Sequence, residues 1–123
     1  NSVHALSHIT GGGIAANLSR VLPAGVSLEI ERSTWSPDNV FRVLADWGAY
    51  SLESLEGTWN LGLGFAAVVS ADKAEEVSAK LNSLGIKTWQ LGVIETSNDI
   101  SGFVTSAKGV EGGAVRLIGS YQS

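Results

Sequence analysis

The sequence has 123 residues, of which 44% are hydrophobic and 16% are charged, a balance typical of one globular domain rather than a disordered chain. Its net charge is −4, and the eight Lys and Arg residues are scattered between Arg20 and Arg116, which argues against a surface that binds nucleic acid. It contains no cysteine, which excludes disulfides and thiolate chemistry, and no apolar run close to the roughly 20 residues that span a bilayer. We therefore expect a cytoplasmic protein without a membrane partner. Because the sequence lacks methionine and starts with Asn1, we also expect it to be a piece of a longer protein.

The first predicted elements are a strand at residues 3–9 and an amphipathic helix at residues 14–22, separated by Thr10 and three consecutive glycines. The apolar side chains on one face of this helix are Ile14, Ala15, Leu18, Val21 and Leu22. Glycines leave the backbone N–H groups at the junction uncovered, next to the positive end of the helix dipole, which suits the binding of a phosphate. Three glycines would serve a tight turn with positive φ equally well. The pattern alone does not choose between these two roles.

The middle of the chain predicts a half-exposed strand and then helical segments. A Pro-Ala-Gly sequence ends the first helix, and the alternation of apolar and polar residues predicts a strand at residues 26–31. Ser36 is the expected N-cap of a second helix, which ends at Gly48. The inward side chains of this helix are predicted to be Val40, Phe41, Leu44 and Trp47. A further helical turn is predicted at residues 51–55.

The second half predicts a buried strand, a helix and two further strands. The apolar run at residues 65–69 is typical of a central strand covered on both faces. Ser70 is the expected cap of a helix that ends at Gly85. The buried side chains of this helix are predicted to be Ala74, Val77, Leu81 and Leu84. Strands at residues 87–95 and 115–118 complete the order β-α-β-α-β-α-β-β, which predicts one α+β domain with helices packed on a mixed sheet.

A second glycine-rich stretch places Asn60, Gly62 and Gly64 just before the strand predicted at residues 65–69. The stretch fits the G-x-G-x-x-A pattern of dinucleotide-binding folds, but that pattern needs a helix after the glycines, and here a strand follows. We therefore reject that interpretation. Glycines at this place allow a ligand or another segment of backbone to approach closely, and packing is the favoured explanation. Asn60 is equally suited to a turn in which its side chain bonds to its own backbone.

The two histidines do not predict a metal site. His4 and His8 are four residues apart on the first strand and would stand roughly 13 Å apart at the usual strand rise. A metal ion needs its ligands within about 2 Å of itself, so the pair alone cannot hold one. A lone histidine on a strand is more often a structural residue than a ligand or a base. His8 is a candidate for a catalytic role only because it lies two residues before Thr10.

These motifs resemble those of phosphoribosylformylglycinamidine cyclo-ligase, also called AIR synthetase, an enzyme of de novo purine synthesis. The resemblance is carried by the stretch from His4 to Pro23, by Thr58-Trp59-Asn60-Leu61-Gly62-Leu63-Gly64, and by Trp89-Gln90-Leu91-Gly92-Val93-Ile94. A phenylalanine is usual in the family where this chain has Trp59. The three motifs occur in the family's order and cover nearly the whole chain.

The resemblance implies that residues 1–123 are part of a C-terminal α+β domain, without the N-terminal domain that carries most of the ATP site and forms the homodimer. It implies ATP and Mg²⁺ as cofactors and a phosphorylated ribonucleotide as substrate. ATP would activate the formamide oxygen of this substrate, after which the amidine nitrogen closes the imidazole ring. The residues implied to bind substrate or phosphate are Thr10, Gly11, Gly12, Gly13, Asn60, Gly62 and Gly64, and His8 is the candidate catalytic residue. Without the nucleotide-holding domain, the chain alone is expected to be inactive.

Related enzymes share the architecture and the ATP chemistry. They include selenophosphate synthetase, thiamine-phosphate kinase and the glutamine-dependent formylglycinamide ribonucleotide amidotransferase, which acts one step earlier in purine synthesis. The extended match at residues 7–23 favours the cyclo-ligase, with the amidotransferase as the alternative. A phosphate-binding module without turnover is a further alternative, and the sequence does not show which phosphate the loop would hold.

Overall fold

Two β-sheets and four α-helices are present in the computed structural model, which describes residues 2–96, 99–105 and 111–122. The strands are β1 (Val3–His8), β2 (Val26–Glu31), β3 (Phe65–Val69), β4 (Ile94–Thr96), β5 (Val104–Thr105) and β6 (Ala114–Ile118). The helices are α1 (Gly13–Val21), α2 (Asn39–Gly48), α3 (Leu52–Leu55) and α4 (Ala74–Ser83), with short 3₁₀ turns at Arg32–Thr34 and Ala71–Lys73. None of the helices in these described ranges is long and apolar enough to cross a membrane.

The larger sheet has four strands in the order β4-β2-β6-β5, and its strand directions are mixed. Strand β2 pairs antiparallel with β4 on one side and parallel with β6 on the other, and β5 is antiparallel to β6. The side chains of Leu28 and Ile30 on β2 and of Val115 on β6 are buried in the core. The predicted α+β fold with a mixed sheet is therefore confirmed.

The smaller sheet consists of β1 and β3, which pair antiparallel with Leu6 opposite Ala67 and His8 opposite Phe65. The prediction that residues 65–69 form a central strand covered on both faces is wrong, because Phe65 remains 58% exposed. A continuous apolar run shows that a segment favours a strand, but it does not show how many faces another element covers.

Helix α1 contacts strands of both sheets and supplies much of the core. The buried hydrophobic cluster contains Ile9, Ile14, Leu18, Leu22, Leu28, Ile30, Trp35, Leu63 and Val115. The apolar stripe that predicted this helix also predicted its buried face, since Ile14 and Leu18 are at most 2% exposed. Because burial of such side chains is the main favourable term in folding, α1 is the element on which the two sheets depend.

Helix α2 differs from the prediction in both its cap and its buried face. It begins after Asp38, and the hydroxyl of Ser36, the predicted N-cap, instead accepts a hydrogen bond from Arg42 Nη2 at 3.0 Å. The side chain that α2 buries is Ala45, while Trp47 is 81% exposed. Val40 and Leu44 are also exposed, and Phe41 is half-buried with its ring 5.8 Å from that of Trp59. Periodicity located an apolar face on this helix, but which face meets the core is decided by neighbours distant in sequence.

Helix α4 and the segment after it are also more exposed than predicted. Ala74, Val77 and Leu81 are half-buried, but Leu84 is 63% exposed. The Ser70 hydroxyl does not cap the helix and instead bonds to His4 Nε2 at 2.8 Å. Gly85 ends the helix with φ +82°, as predicted.

Of residues 87–95, only the last two belong to a strand, β4. Trp89 and Leu91 nevertheless pack against the core from an irregular segment. The helical turn at residues 51–55 and the strand at residues 115–118 are confirmed, the former as α3, with the Ser51 hydroxyl as its cap.

Leu18→Ala and Leu84→Ala test this division between core and surface. Leu18→Ala should lower the free energy of unfolding by about 2–5 kcal/mol, because it opens a cavity in the buried cluster. Leu84→Ala should change it by less than about 0.5 kcal/mol, since most of that side chain already contacts water. Urea unfolding followed by circular dichroism gives both values, and equal losses would contradict the packing described here.

Candidate functional site

The glycine loop connects β1 to α1 through a tight turn. The Gly13 N–H donates to the Thr10 carbonyl at 3.2 Å. Gly12 and Gly13 have φ values of +95° and +80°, in the left-handed region that side-chain-bearing residues rarely adopt. The turn therefore requires glycine at two of the three positions. Gly11 has no such restriction, and a Cβ added to it would meet no atom within 4 Å.

A segment distant in sequence lies against the start of α1. The Ile14 N–H donates to the carbonyl oxygen of Glu56 at 3.1 Å. A Cβ on Gly13 would lie only 1.7 Å from that same oxygen, so no side chain fits there. The Ile14 N–H, one of the first amides of α1, is thus already bonded to the Glu56 carbonyl and is not free for a ligand.

The amides of Gly11 and Gly12 are placed differently. Both residues are exposed, and in the part of the chain that the structure describes no acceptor bonds to their N–H groups. The Arg20 guanidinium lies close by, with Nη2 3.9 Å from the position that a Cβ on Gly12 would occupy. Arg20 reaches this point because helical side chains lean toward the N-terminus, and it forms no ion pair with the described residues. Two N–H groups without an acceptor among the described residues and one cation therefore lie in the same exposed region, an arrangement that can hold an oxyanion.

Asn17 holds the loop from the inside. Its buried side-chain Nδ2 lies 2.6 Å from the Gly13 carbonyl oxygen, 3.2 Å from that of Thr10 and 3.4 Å from that of Gly11. The Ser7 hydroxyl in turn donates to the Asn17 carbonyl at 3.1 Å, which links β1 to α1. Sequence reasoning missed both Asn17 and Arg20 as site residues. The available signal for Asn17 was a polar residue on the apolar face of α1, between Ile14 and Leu18.

The second glycine motif lies beside the first. The Ile9 N–H donates to the Gly64 carbonyl at 3.0 Å, so the end of β1 and the start of β3 are held together. Asn60 Oδ1 accepts a hydrogen bond from the Gly62 N–H at 3.0 Å, which is the turn role considered for it. Between them, Leu61 has φ +51°, an uncommon value for a residue with a side chain.

The turn at Leu61 is held by an indole. Trp35 Nε1 donates to the Leu61 carbonyl at 3.0 Å, and both residues are buried. Next to it, a cavity of about 150 Å³ is lined by Trp35, Ser36, Asp38, Gly62, Lys87 and Trp89. The Trp89 indole N–H is a buried donor for which the described residues supply no acceptor. The cavity is smaller than the roughly 300–1,000 Å³ of sites for drug-sized ligands, so it has room only for water or a group of a few atoms.

His8 lies at the end of β1 on its exposed side. Its ring stacks on that of Phe65, with 5.8 Å between the centroids and 25° between the planes. The neighbouring Ser7 points the other way and bonds to α1, as successive residues on a strand do. Among the described residues, no acid or hydroxyl bonds to His8, and no three His, Asp or Glu side chains come together as a metal site.

Comparison with known families shows which family the chain belongs to. Residues 1–105 match the family model described as AIR synthase related protein, C-terminal domain. The chain belongs to this family. The matched span of this AIR synthase related domain contains both glycine motifs, Asn17, Arg20 and Trp89, whereas β6 lies outside it.

Two curated relatives of the AIR synthase related domain carry the name of one enzyme. A Streptomyces fradiae protein, provisionally named phosphoribosylformylglycinamidine cyclo-ligase, is 39% identical over 119 residues, which cover 97% of this chain and 61% of that protein. The phosphoribosylformylglycinamidine cyclo-ligase of Pseudothermotoga lettingae is 36% identical over 94 residues, covering 76% of this chain and 28% of that protein. The chain thus spans only part of the length of both relatives. The resemblance found in the sequence motifs is confirmed at the level of the family.

Alanine at Gly13 and at Gly11 should separate the structural glycine from the open one. Gly13→Ala should lower the free energy of unfolding by more than about 2 kcal/mol, because it combines left-handed strain with a clash against the Glu56 carbonyl. Gly11→Ala should stay within about 0.5 kcal/mol of the parent. Chemical unfolding of both variants measures the difference, and a tolerated Gly13→Ala would disprove the close approach of Glu56.

Asn17→Ala tests the internal support of the loop. It leaves loop carbonyls without their buried donor, so the free energy of unfolding should fall by about 1–3 kcal/mol. Asn39→Ala, at the exposed start of α2, is the matched control and should lower the free energy of unfolding by no more than about 0.5 kcal/mol. Thermal unfolding of the two variants side by side is sufficient, and equal behaviour would show that Asn17 does not support the loop.

Proposed function

We propose that this chain forms part of a phosphoribosylformylglycinamidine cyclo-ligase and that its glycine loop binds a phosphate in that reaction. Membership of the AIR synthase related family and the names of the two relatives support the enzyme class. The proposed reaction is the ATP-dependent ring closure of formylglycinamidine ribonucleotide to aminoimidazole ribonucleotide. Its substrate carries a phosphate on the ribose, and its co-substrate transfers another, so the enzyme needs at least one phosphate cradle.

The exposure of Gly11 and Gly12 together with the nearness of the Arg20 guanidinium to Gly12 is the observation that carries this proposal. The three groups lie at the positive end of α1, where the helix dipole adds to their attraction for an anion. A charge-assisted hydrogen bond contributes roughly 1.5–3 kcal/mol, so two amides and an arginine account for a specific phosphate site. Asn17 supports it from below by holding the loop carbonyls inward.

The chemistry also needs ATP and Mg²⁺, and the described residues of this chain suit only part of it. Their glycine loop fits phosphate oxygens, but they bring together no three carboxylate or imidazole ligands for a metal ion. We therefore propose that the magnesium nucleotide is held mainly by another part of the longer protein, which would also form the homodimer. Bound there, ATP supplies the phosphoryl group that activates the formamide oxygen.

His8 is the candidate in this chain for moving a proton. It ends β1 two residues before Thr10, and its imidazole is exposed on the side of the strand away from α1. Asn60, Gly62 and Gly64 lie in the same region, because the Ile9 N–H bonds to the Gly64 carbonyl. The Asn60 amide oxygen already accepts a hydrogen bond within its own turn, so these residues would shape the site through their backbone.

A binding titration tests the proposal on the chain itself. Ribose 5-phosphate should shift the backbone amide resonances of Gly11 and Gly12, and residues 1–123 alone should show no turnover if the magnesium nucleotide is held elsewhere, as proposed above. Gly11→Val and Arg20→Gln should each weaken binding by tenfold or more, because each removes a donor or blocks its approach. Gly11 is the better loop position for added bulk, since any side chain on Gly12 would strain its backbone.

Lys80→Gln is the control for the loss of a positive charge. Lys80 is exposed on α4, so this variant should leave binding unchanged. In the intact enzyme, Gly11→Val should raise KM for the ribonucleotide if the loop holds the substrate phosphate, and for ATP if it holds the transferred one. A parent chain that binds no phosphate, or a Gly11→Val enzyme with unchanged kinetics, would overturn the proposed site.

A further inference from the structure

The carboxylate of Glu56 is the meeting point of three distant segments. Arg32 donates to it with two nitrogens, Nε to Oε1 and Nη2 to Oε2, the latter at 3.0 Å. The Tyr121 hydroxyl donates to Oε1 at 2.7 Å. Only 16% of the Arg32 side chain and 14% of the Glu56 side chain are exposed, so this cluster is largely shielded from water. Shielded, bidentate pairs of this kind have a defined geometry that exposed ion pairs lack.

The two partners of Glu56 come from the same edge of the larger sheet. Arg32 directly follows β2, and Tyr121 follows β6 by three residues. Because β2 and β6 are parallel neighbours, their carboxyl ends lie side by side and bring the guanidinium and the phenol together. Arg32 Nη1 also donates to the Gly119 carbonyl at 2.9 Å, which fastens it to the end of β6.

The donors of this cluster keep their protons. The hydrogen bond that Arg32 donates to Glu56 raises the pKa of Arg32. Burial first, and the hydrogen bond to Glu56 second, raise the pKa of Tyr121. The Arg32 guanidinium and the Tyr121 hydroxyl therefore remain donors to Glu56 throughout the neutral range.

The main chain of the same residue contacts the glycine loop. The Glu56 carbonyl accepts the Ile14 N–H, and its oxygen lies where a Cβ of Gly13 would be. Its side chain is thus held by the sheet edge while its backbone fixes the first turn of α1. The second glycine motif begins two residues later in the chain, at Thr58.

We propose that Glu56 is a positioning residue for the glycine loop: clamped by Arg32 and Tyr121, it holds its carbonyl on the Ile14 N–H and so orients the open Gly11 and Gly12 amides toward an anion. Its effect on anion binding rests on the phosphate site proposed above, while its hold on Ile14 does not. Glu56 itself touches no ligand in this arrangement. It acts through the backbone of the loop.

Amide hydrogen exchange of the Ile14 N–H, together with ribose 5-phosphate affinity, tests this role. Tyr121→Phe removes one donor to the carboxylate and keeps the ring, and Glu56→Gln removes the charge at nearly constant shape. In both variants the Ile14 amide should exchange roughly tenfold faster or more, relative to the amide of Ile30 in β2, which reports global opening. Ribose 5-phosphate should bind several-fold more weakly.

Glu29→Gln is the matched control. It removes an ion pair with Arg116 across the same two strands, but this pair is about 40% exposed and does not touch the loop. The control should leave both the Ile14 exchange and the affinity unchanged. Tyr121→Phe is the variant to rely on if Glu56→Gln does not fold, since it leaves Arg32 with its counter-ion.

The possible results separate the two proposals. A selective rise in Ile14 exchange with weaker binding supports the positioning role. If Ile14 and Ile30 accelerate equally, or if affinity is unchanged in both variants, the role is refuted. If the parent binds no ribose 5-phosphate, the phosphate site fails and with it the effect of Glu56 on anions, whereas the Ile14 exchange still decides whether Glu56 holds α1.

Discussion

A single carbonyl oxygen, that of Glu56, fixes where helix α1 begins. It accepts the Ile14 N–H at 3.1 Å and lies so close to Gly13 that only glycine fits. Helix α1 in turn carries Ile14 and Leu18 into the core between the two sheets. If this contact were displaced, the helix, the loop before it and the packing of both sheets would have to move together, because interiors are close-packed.

In the glycine loop, carbonyl acceptors are paired within the fold, whereas two N–H donors have no acceptor among the described residues. Its carbonyls at Thr10 and Gly13 face inward, where the buried amide of Asn17 holds them. Its residues Gly11 and Gly12 are exposed, their N–H groups have no acceptor among the described residues, and the Arg20 guanidinium lies close to Gly12. Unpaired N–H groups and a cation attract an anion locally even where the whole chain has a net charge of −4.

The parts of the fold that are encoded locally could be predicted from the sequence. The apolar spacing of α1 and the glycines before it depend on neighbours within a few residues, and so does the turn at Asn60. The exposed side of α2 could not be found in this way, since Trp47 is 81% exposed because no element among the described residues covers it, and its own pattern does not show this.

The candidate site shows the same limit. Its glycines were visible as a motif, but the reason for Gly13 is a residue far away in sequence, Glu56. The support from Asn17 had one local signal, a polar residue on the apolar face of α1, but that signal does not show which carbonyl groups its side chain bonds to. The motif resemblance pointed to the candidate site, while the structure shows that the Glu56 carbonyl already occupies the Ile14 amide beside it.

The parallel pairing of β2 with β6 has a consequence for how the chain is made. Ser27 pairs with Ala114, so nearly the whole sequence must leave the ribosome before the larger sheet can close. At about 5–20 residues per second, the apolar face of α1 waits several seconds for the strand that covers it. Such non-local pairing also slows folding itself, because a long loop must close before its contacts form. During synthesis the apolar face of α1 therefore stays uncovered by β6 until residues 114–118 have emerged.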